Sequence, residues 1–302
     1  MAERRPIQTG RAALRAWYAP RRTAYPWRRG QNPYRVLVSE VMLQQTQAAR
    51  VAPAFERFVA EFPTVRDLAD ASPADVLRAW RDLGYNRRAL HLHRAAVAIV
   101  RDHGGVVPSD PTVLATLPGV GPYTAAAVAS LGFGAPVAAI DVNVRRIVSR
   151  VLLDADADAA TVTVAANTWL ARDDPASWNQ ALMDLGREVC RPVPRCAECP
   201  IARSCRSRRR ASNGDPTVGH TVRRQGRFEG STRQVRGAVI RTLRGSSPCT
   251  LQSITSGTGH PADRVVQAIA ALHMEGMVVA SRAALGGNPR GRIRLPEERT
   301  GH

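Results

Sequence analysis

The stretch Leu117–Arg146, LPGVGPYTAAAVASLGFGAPVAAIDVNVRR, decides how the rest of the chain is read. It opens with Leu-Pro-Gly-Val-Gly, which sets Gly119 and Gly121 two positions apart and is followed at once by Pro122. A proline directly after a tight turn marks the first turn of a helix, where its missing N–H would have had no intrahelical partner. The small-residue run Thr124 to Ala129 then predicts a closely packed helix. A glycine-rich hairpin that turns the backbone N–H groups of Gly119, Val120 and Gly121 outward at a helix N-terminus is suited to hold a phosphate. Twenty residues beyond Gly121, Asp141 stands alone between an apolar run, Val137 to Ile140, and a second helical segment, Val142 to Leu152. An aspartate in that position can also cap the helix it precedes.

The charge balance says what such a hairpin would hold. A formal net charge of +18 and a pI near 11.3 point to a polyanion, with nucleic acid ahead of a membrane surface. The basic residues are concentrated toward the end, where residues 206–302 carry 17 Arg against 6 acidic residues. All 43 basic residues are arginine, so no lysine amine exists to form a Schiff base with an opened sugar. No apolar run approaches the ~20 residues that span a bilayer. The N-terminal MAERRPIQTGRAALRAW lacks the apolar core of a secretory signal, so a cytoplasmic protein is expected. At 302 residues the chain can bury one large helical core and a small second domain.

Four of the five cysteines fall in one string, Cys-x5-Cys-x2-Cys-x5-Cys, at Cys190, Cys196, Cys199 and Cys205, while Cys249 stands apart. Four thiolates in one compact loop suit a tetrahedral Zn ion or a [4Fe–4S] cluster, and spacing does not choose between them. Before the hairpin, Tyr34 to Val51 reads as one amphipathic helix with Val36, Leu37, Val41 and Leu43 on its apolar face. Glu40 sits inside that apolar stretch, where burial would raise its pKa and keep it protonated near neutral pH. Further helices are predicted over 52–62, 73–81, 87–103, 110–117 and 161–170, and through SWNQALMDLGREVC, which delivers Cys190. His91 and His93 have no partner ligands at metal spacing and are read as packing or surface residues. An Arg- and Gly-rich linker follows at 206–230. Residues 231–296 then read as three helices (232–244, 250–256, 261–275) and a hairpin from 278–281 and 292–295, the order of a winged helix.

Hairpin, following Asp141 and cysteine loop together resemble the helix-hairpin-helix DNA glycosylase superfamily. The string SEVMLQQTQ, residues 39–47, is similar to the signature of its MutY-type adenine DNA glycosylases. The resemblance covers about residues 14 to 205. It implies an all-α, endonuclease III-like fold with an iron–sulfur cluster loop, here followed by the small C-terminal winged-helix-like domain. The implied organisation is an N-terminal and cluster lobe (1–29 with 144–205), a helical core with the hairpin (30–143), a basic linker (206–230) and the winged-helix-like domain (231–299). The implied activity is monofunctional excision of adenine opposite 8-oxoguanine or guanine, by a monomer acting on double-stranded DNA.

The same resemblance assigns expected roles. Glu40 is the acid that protonates adenine, and Asp141 is the ionised carboxylate facing the sugar, supported by Asn143. Tyr123 occupies the position of the Schiff-base lysine of lyase-competent relatives. Trp27, Arg28, Leu43 and Gln180 resemble the adenine pocket, while Gln45 and Thr46 resemble the wedge and opposite-base contacts. Gly119, Val120 and Gly121 grip the phosphate, and Cys190, Cys196, Cys199 and Cys205 hold a [4Fe–4S] cluster, with Zn the alternative. The sequence departs from the family at three places. The first gap of the cysteine loop is one residue short; Gly84-Tyr85-Asn86 stands where Gly-Tyr-Tyr is usual; and the larger nudix-like C-terminal domain is replaced, a shortening similar to that of actinobacterial members. A thymine- or uracil-G mismatch glycosylase of the same fold, which shares a Tyr at the hairpin position, and a non-catalytic lesion-binding protein are the alternative readings.

Overall fold

The structure, a computed structural model, describes residues 4–22, 25–154, 156–212 and 226–296. Helices dominate. In chain order they are α1 (Arg4–Tyr18), α2 (Pro33–Leu43), α3 (Ala48–Glu61), α4 (Val65–Asp70), α5 (Pro73–Ala79), α6 (Arg87–His103), α7 (Pro111–Leu114), α8 (Pro122–Ala127), α9 (Val142–Val148), α10 (Ala159–Trp169), α11 (Pro175–Glu188) and α12 (Arg206–Ser212). The C-terminal part holds α13 (Thr232–Gly245), β1 (Cys249–Thr250), α14 (Leu251–Thr258), α15 (Ala262–Met274), β2 (Val279–Ala280), α16 (Arg282–Leu285) and β3 (Arg292–Arg294). Local chemistry sets many of these boundaries. Thr64, Ser72, Asp110, Asp158, Asp174, Ser231 and Thr250 each accept a hydrogen bond from a backbone N–H of the helix they precede. Proline opens α5, α7, α8 and α11, as the missing N–H permits.

The chain divides into two compact units. One comprises residues 1–40, 108–116 and 120–223. Its core joins α1, α9, α10 and α11 through Leu14, Tyr18, Ile147, Val151, Trp169, Trp178 and Leu182. Trp169 and Trp178 meet edge to face with centroids 5.1 Å apart. Both α8 and α9 widen into a π-helical turn, at Val128–Gly132 and Ser149–Leu153.

The other unit comprises residues 41–107, 117–119 and 224–302. Here Phe55, Phe58, Leu77, Trp80, Leu92 and Ile99 are fully buried on α3, α5 and α6 and the turn after α5, and Phe58 sits edge-on to both Phe62 and Trp80. Residues 232–294 form a winged helix. Helices α13, α14 and α15 bury Val235, Val239, Ile254, Val265 and Ile269, and an antiparallel sheet of order β1–β3–β2 pairs Cys249 with Ile293 and Ala280 with Ile293.

Three expectations need correction. The single helix expected over 34–51 is two helices, because the buried Arg88 guanidinium draws in the carbonyls of Val41, Met42 and Gln44 at 2.9, 2.7 and 2.5 Å and Gln45 turns left-handed at φ +57°. Helix α4 was not expected; it is six residues long and is held by a reciprocal Thr64–Asp67 capping box. The linker starts as a helix, α12, while its residues 213–225, and 297–299 of the expected last domain, lie outside the described residues. Among the described residues no helix is long and apolar enough to cross a membrane.

Candidate active site

Every residue of α2 from Val36 to Met42 is buried, and Glu40 with them at 4% exposure. Burial pushes its carboxyl up to about 7, and the nearby charge of Asp141 pushes in the same direction. Two groups oppose this: the Tyr123 hydroxyl, which donates to Glu40 Oε2 at 2.7 Å, and the guanidinium of Arg28. Tyr123 sits in the first turn of α8, and its phenol is held well above its ordinary pKa by burial and by the two carboxylates. It is therefore a neutral donor to Glu40 across the physiological range.

Asp141 is the N-cap of α9, as the sequence allowed. Its Oδ1 accepts from the backbone N–H groups of Asn143 (2.9 Å) and Val144 (2.7 Å), and its Oδ2 accepts from Asn143 Nδ2 at 2.8 Å. Asn143 is fixed in turn. Its Oδ1 accepts from Arg146, whose guanidinium also donates to the carbonyls of Gly186 and Cys190. Gly186 must be glycine here, because a Cβ would stand 2.5 Å from that of Asn143.

Arg28 forms a two-pronged ion pair with Asp184, at 2.7 and 2.8 Å, in which the side chains are only 6% and 3% exposed. Beside it the rings of Tyr25 and Trp27 stack at 4.8 Å, and Arg28 and Arg187 both lie over Tyr25. Tyr18 donates to Gln180 Oε1, and burial pushes the Tyr18 phenol up to about 12. The first unit thus brings Glu40, Tyr123, Asp141, Asn143 and Arg28 into one electrostatic group, with Trp27 stacked beside Arg28 and Gln180 held by Tyr18. Leu43, Gln45 and Thr46 belong to the second unit, on the turn that Arg88 organises. In the hairpin, Gly119 is required on two counts: its φ is +76°, and a Cβ would meet that of His91 at 2.6 Å. Gly121 has an extended backbone and caps α8. Histidine 93 is buried with Nε2 3.0 Å from the carbonyl of Ala71, a packing role as expected.

A model of the HhH-GPD superfamily of base excision DNA repair proteins matches residues 38–171. The adenine DNA glycosylase of Mycolicibacterium smegmatis is 44% identical over 239 residues, spanning 78% of this chain and 80% of that protein. The chain belongs to the adenine DNA glycosylases of the HhH-GPD superfamily. Among solved structures, a thermostable thymine-DNA glycosylase superposes with a TM-score of 0.64 at 26% identity, over 70% of this chain and all of that one. A non-covalent endonuclease III–DNA complex does so with a TM-score of 0.57 at 25% identity, over 68% of this chain and 98% of that one.

Within this glycosylase, Asp184 and Tyr18 are among the residues of the site that sequence reasoning missed. Asp184 lies four residues after Gln180 on α11, one helical turn along the same face, and that spacing was the available signal. Tyr18, at the end of α1, carried none, since its partner is 162 residues away. The four loop cysteines line one cavity with Ile147, Val151 and Ile201. Burial pushes the Cys199 thiol up to about 12 and raises Cys205, while the N–H of Ile201 points at Cys199 and those of Ser207 and Arg208 at Cys205. Arg150 donates to Cys190 Sγ at 3.7 Å. Among the described residues no group of three or more His, Cys, Asp or Glu side chains is arranged as a metal-ion site; the four thiols share the lining of that one cavity.

Proposed function

We propose that this chain is a monofunctional DNA glycosylase that removes adenine mispaired with 8-oxoguanine or guanine from double-stranded DNA. One observation carries the reading: Glu40 and Asp141 are neighbouring carboxyl groups in opposite surroundings, one buried with a pKa near 7 and one held by three N–H donors at a helix N-terminus. Cleavage of a glycosidic bond needs those two states together. Glu40 protonates the extruded adenine and makes it a leaving group, and Tyr123 orients that carboxyl. Asp141, held by three N–H donors and aimed by Asn143, stabilises the positive sugar that remains until water adds. In the first unit Arg28, Trp27 and Gln180 receive the base; in the second, Leu43, Gln45 and Thr46 contact the DNA. The amides of 119–121 hold a phosphate. Without a lysine, no Schiff base forms from a side chain, so the abasic strand stays intact.

Single-turnover excision on duplexes with A opposite 8-oxoguanine, A opposite G and T opposite G, with and without alkali, tests this. Alkali-dependent cleavage at A is expected, fastest opposite 8-oxoguanine. Cleavage at T alone would transfer the chain to the mismatch-thymine reading, and tight binding without excision would leave only lesion recognition.

The four loop thiols are assigned to a [4Fe–4S] cluster. A cluster takes each thiolate at a separate iron and accepts N–H bonds to sulfur of the kind Cys199 and Cys205 receive; a tetrahedral Zn ion is the alternative. The wild-type chain should absorb broadly near ~400 nm and Cys199→Ser should not; a colourless, zinc-loaded wild type would refute the assignment. The enzyme is expected to act as a monomer in the cytoplasm.

A further inference from the structure

Two turns of the second unit hold residues in the left-handed region and share one buried cation. In the turn after α2, Gln45 is exposed and lies at φ +57°. In the loop between α5 and α6, Asp82 (φ +72°), Gly84 (φ +68°) and Tyr85 (φ +44°) are all left-handed, and the Tyr85 residue is 38% exposed. Non-glycine residues persist in that region only where their surroundings over-determine them, and such strain collects at functional sites. Here the surroundings are specific. Arg88 donates to Gln44 O and Thr46 Oγ1 on the first turn, and to Leu83 O and Gly84 O on the second. Its guanidinium also lies 5.5 Å from the Tyr85 ring centroid, and Trp80 Nε1 donates to Gly84 O at 3.1 Å.

The C-terminal domain holds the same loop from outside. Arg233 on α13 donates to Tyr85 Oη at 3.1 Å. Farther along α13, Arg244 donates to Asn86 Oδ1, and the charge of Asp82 acts on it as well. Asn86 stands where the resembling family carries a second tyrosine, and it gives Arg244 a side-chain carbonyl to hold. Nothing in this arrangement resembles a loosely tethered module: α13 grips the most strained loop of the helical region by two adjacent side chains.

We propose that Arg233 and Arg244 make the C-terminal domain a positioning element for base-pair discrimination: they fix Tyr85 and Asn86, and Arg88 couples that loop to the Gln44–Thr46 turn. The proposal rests on the adenine-excision reading. An enzyme that takes one base out of a duplex must hold what it leaves behind, and an exposed tyrosine ring and glutamine amide on rigid turns are groups that stack on and hydrogen-bond to bases. The domain therefore acts on which base pair is processed, through the loop, and not only on how strongly DNA is held.

The test uses the full-length chain and two readouts. Single-turnover excision is compared for A opposite 8-oxoguanine and A opposite cytosine. In Arg244→Met the ratio of the two rates should fall about tenfold, and in Tyr85→Phe, which deletes one hydroxyl and spares the fold, about twofold. Combining Arg244→Met with Asn86→Ala should cost no more than the worse single variant. A ratio within experimental error of wild type in Arg244→Met, or equal proportional loss on both duplexes, overturns the proposal. Hydrogen exchange of the 82–88 segment in DNA-free protein reads the latch without any chemistry: Arg244→Met should speed it at least tenfold, and unchanged exchange overturns the latch even if excision is active. Absence of adenine excision in the wild type, with exchange responding as expected, would instead sink the functional reading.

Discussion

Along α2, Glu40 is surrounded by a continuous run of buried residues and receives one hydrogen bond, from the Tyr123 hydroxyl. At the start of α9, Asp141 receives three, all from N–H groups, at the end of a helix where partial positive charge accumulates. The chemical group is the same and the surroundings are inverted: burial raises the pKa of the first, while the second is surrounded by N–H donors. Backbone position does much of this: a residue seven along a buried helix has no free amide to meet, whereas an N-cap meets two. Two carboxyl groups that stand close together are thus differentiated by their surroundings.

Removing the charge from the second region should have the largest effect. Asp141→Asn keeps the size of the side chain and its capping oxygen, so DNA binding should survive while excision falls by roughly 10³-fold or more, beyond the loss of one oxyanion-hole donor. Turnover within tenfold of wild type would end the comparison, because Asp141 would then be a helix cap and nothing more. Removing the proton from the first region comes next. Glu40→Gln should lose roughly 10² to 10³-fold, the range for a general acid, and its residual rate should lack the alkaline decline expected of the wild type as pH passes about 7. A variant that keeps that decline would place the titrating group elsewhere.

Tyr123→Phe sharpens the same contrast with a smaller effect. The phenol hydrogen bond favours the Glu40 anion and lowers its pKa, so its loss leaves burial less opposed. The alkaline limb of the rate profile should therefore move to higher pH, with less than about a tenfold change in the maximal rate. Movement to lower pH would show that Tyr123 stabilises the acid form instead.

How much of this was legible in the sequence follows from how far each interaction reaches along the chain. Asp141 with Asn143, the hairpin glycines and the cysteine string are local patterns, and the burial of Glu40 follows from the apolar residues on either side of it. The partners that complete the site are distant. Asp184 reaches Arg28 across 156 residues and Tyr18 reaches Gln180 across 162, and no periodicity encodes either. The break between α2 and α3 was hidden for the same reason. Residues 34–51 keep helical periodicity throughout, and what ends the helix is a guanidinium more than forty residues away that competes for its last carbonyls. The winged helix was legible as an order of elements, but its grip on the 82–86 loop was not, since Arg233 and Arg244 read as two more basic residues in an arginine-rich tail.

The last expected effect concerns stability, and it follows from the Glu40 environment alone. Burial raises this carboxyl from 4.5 to about 7, so between those values the folded chain binds a proton that the unfolded chain has released. The folded state is favoured by that proton below about 4.5. It loses the advantage as pH rises to about 7, and above that it carries a buried charge that the unfolded chain would hydrate. At about 1.4 kcal/mol per pKa unit, the difference amounts to about 3 kcal/mol. Glu40→Gln cannot ionise and still accepts from Tyr123, so denaturant unfolding at pH 8 should find it more stable than wild type by up to that amount, and unfolding at pH 4 should find no gain. An equal difference at both pH values would mean that packing, not charge, separates Gln from Glu at this position. The buried carboxyl would then have no energetic claim to its raised pKa, and the inversion between the α2 and α9 sites would rest on Asp141 alone.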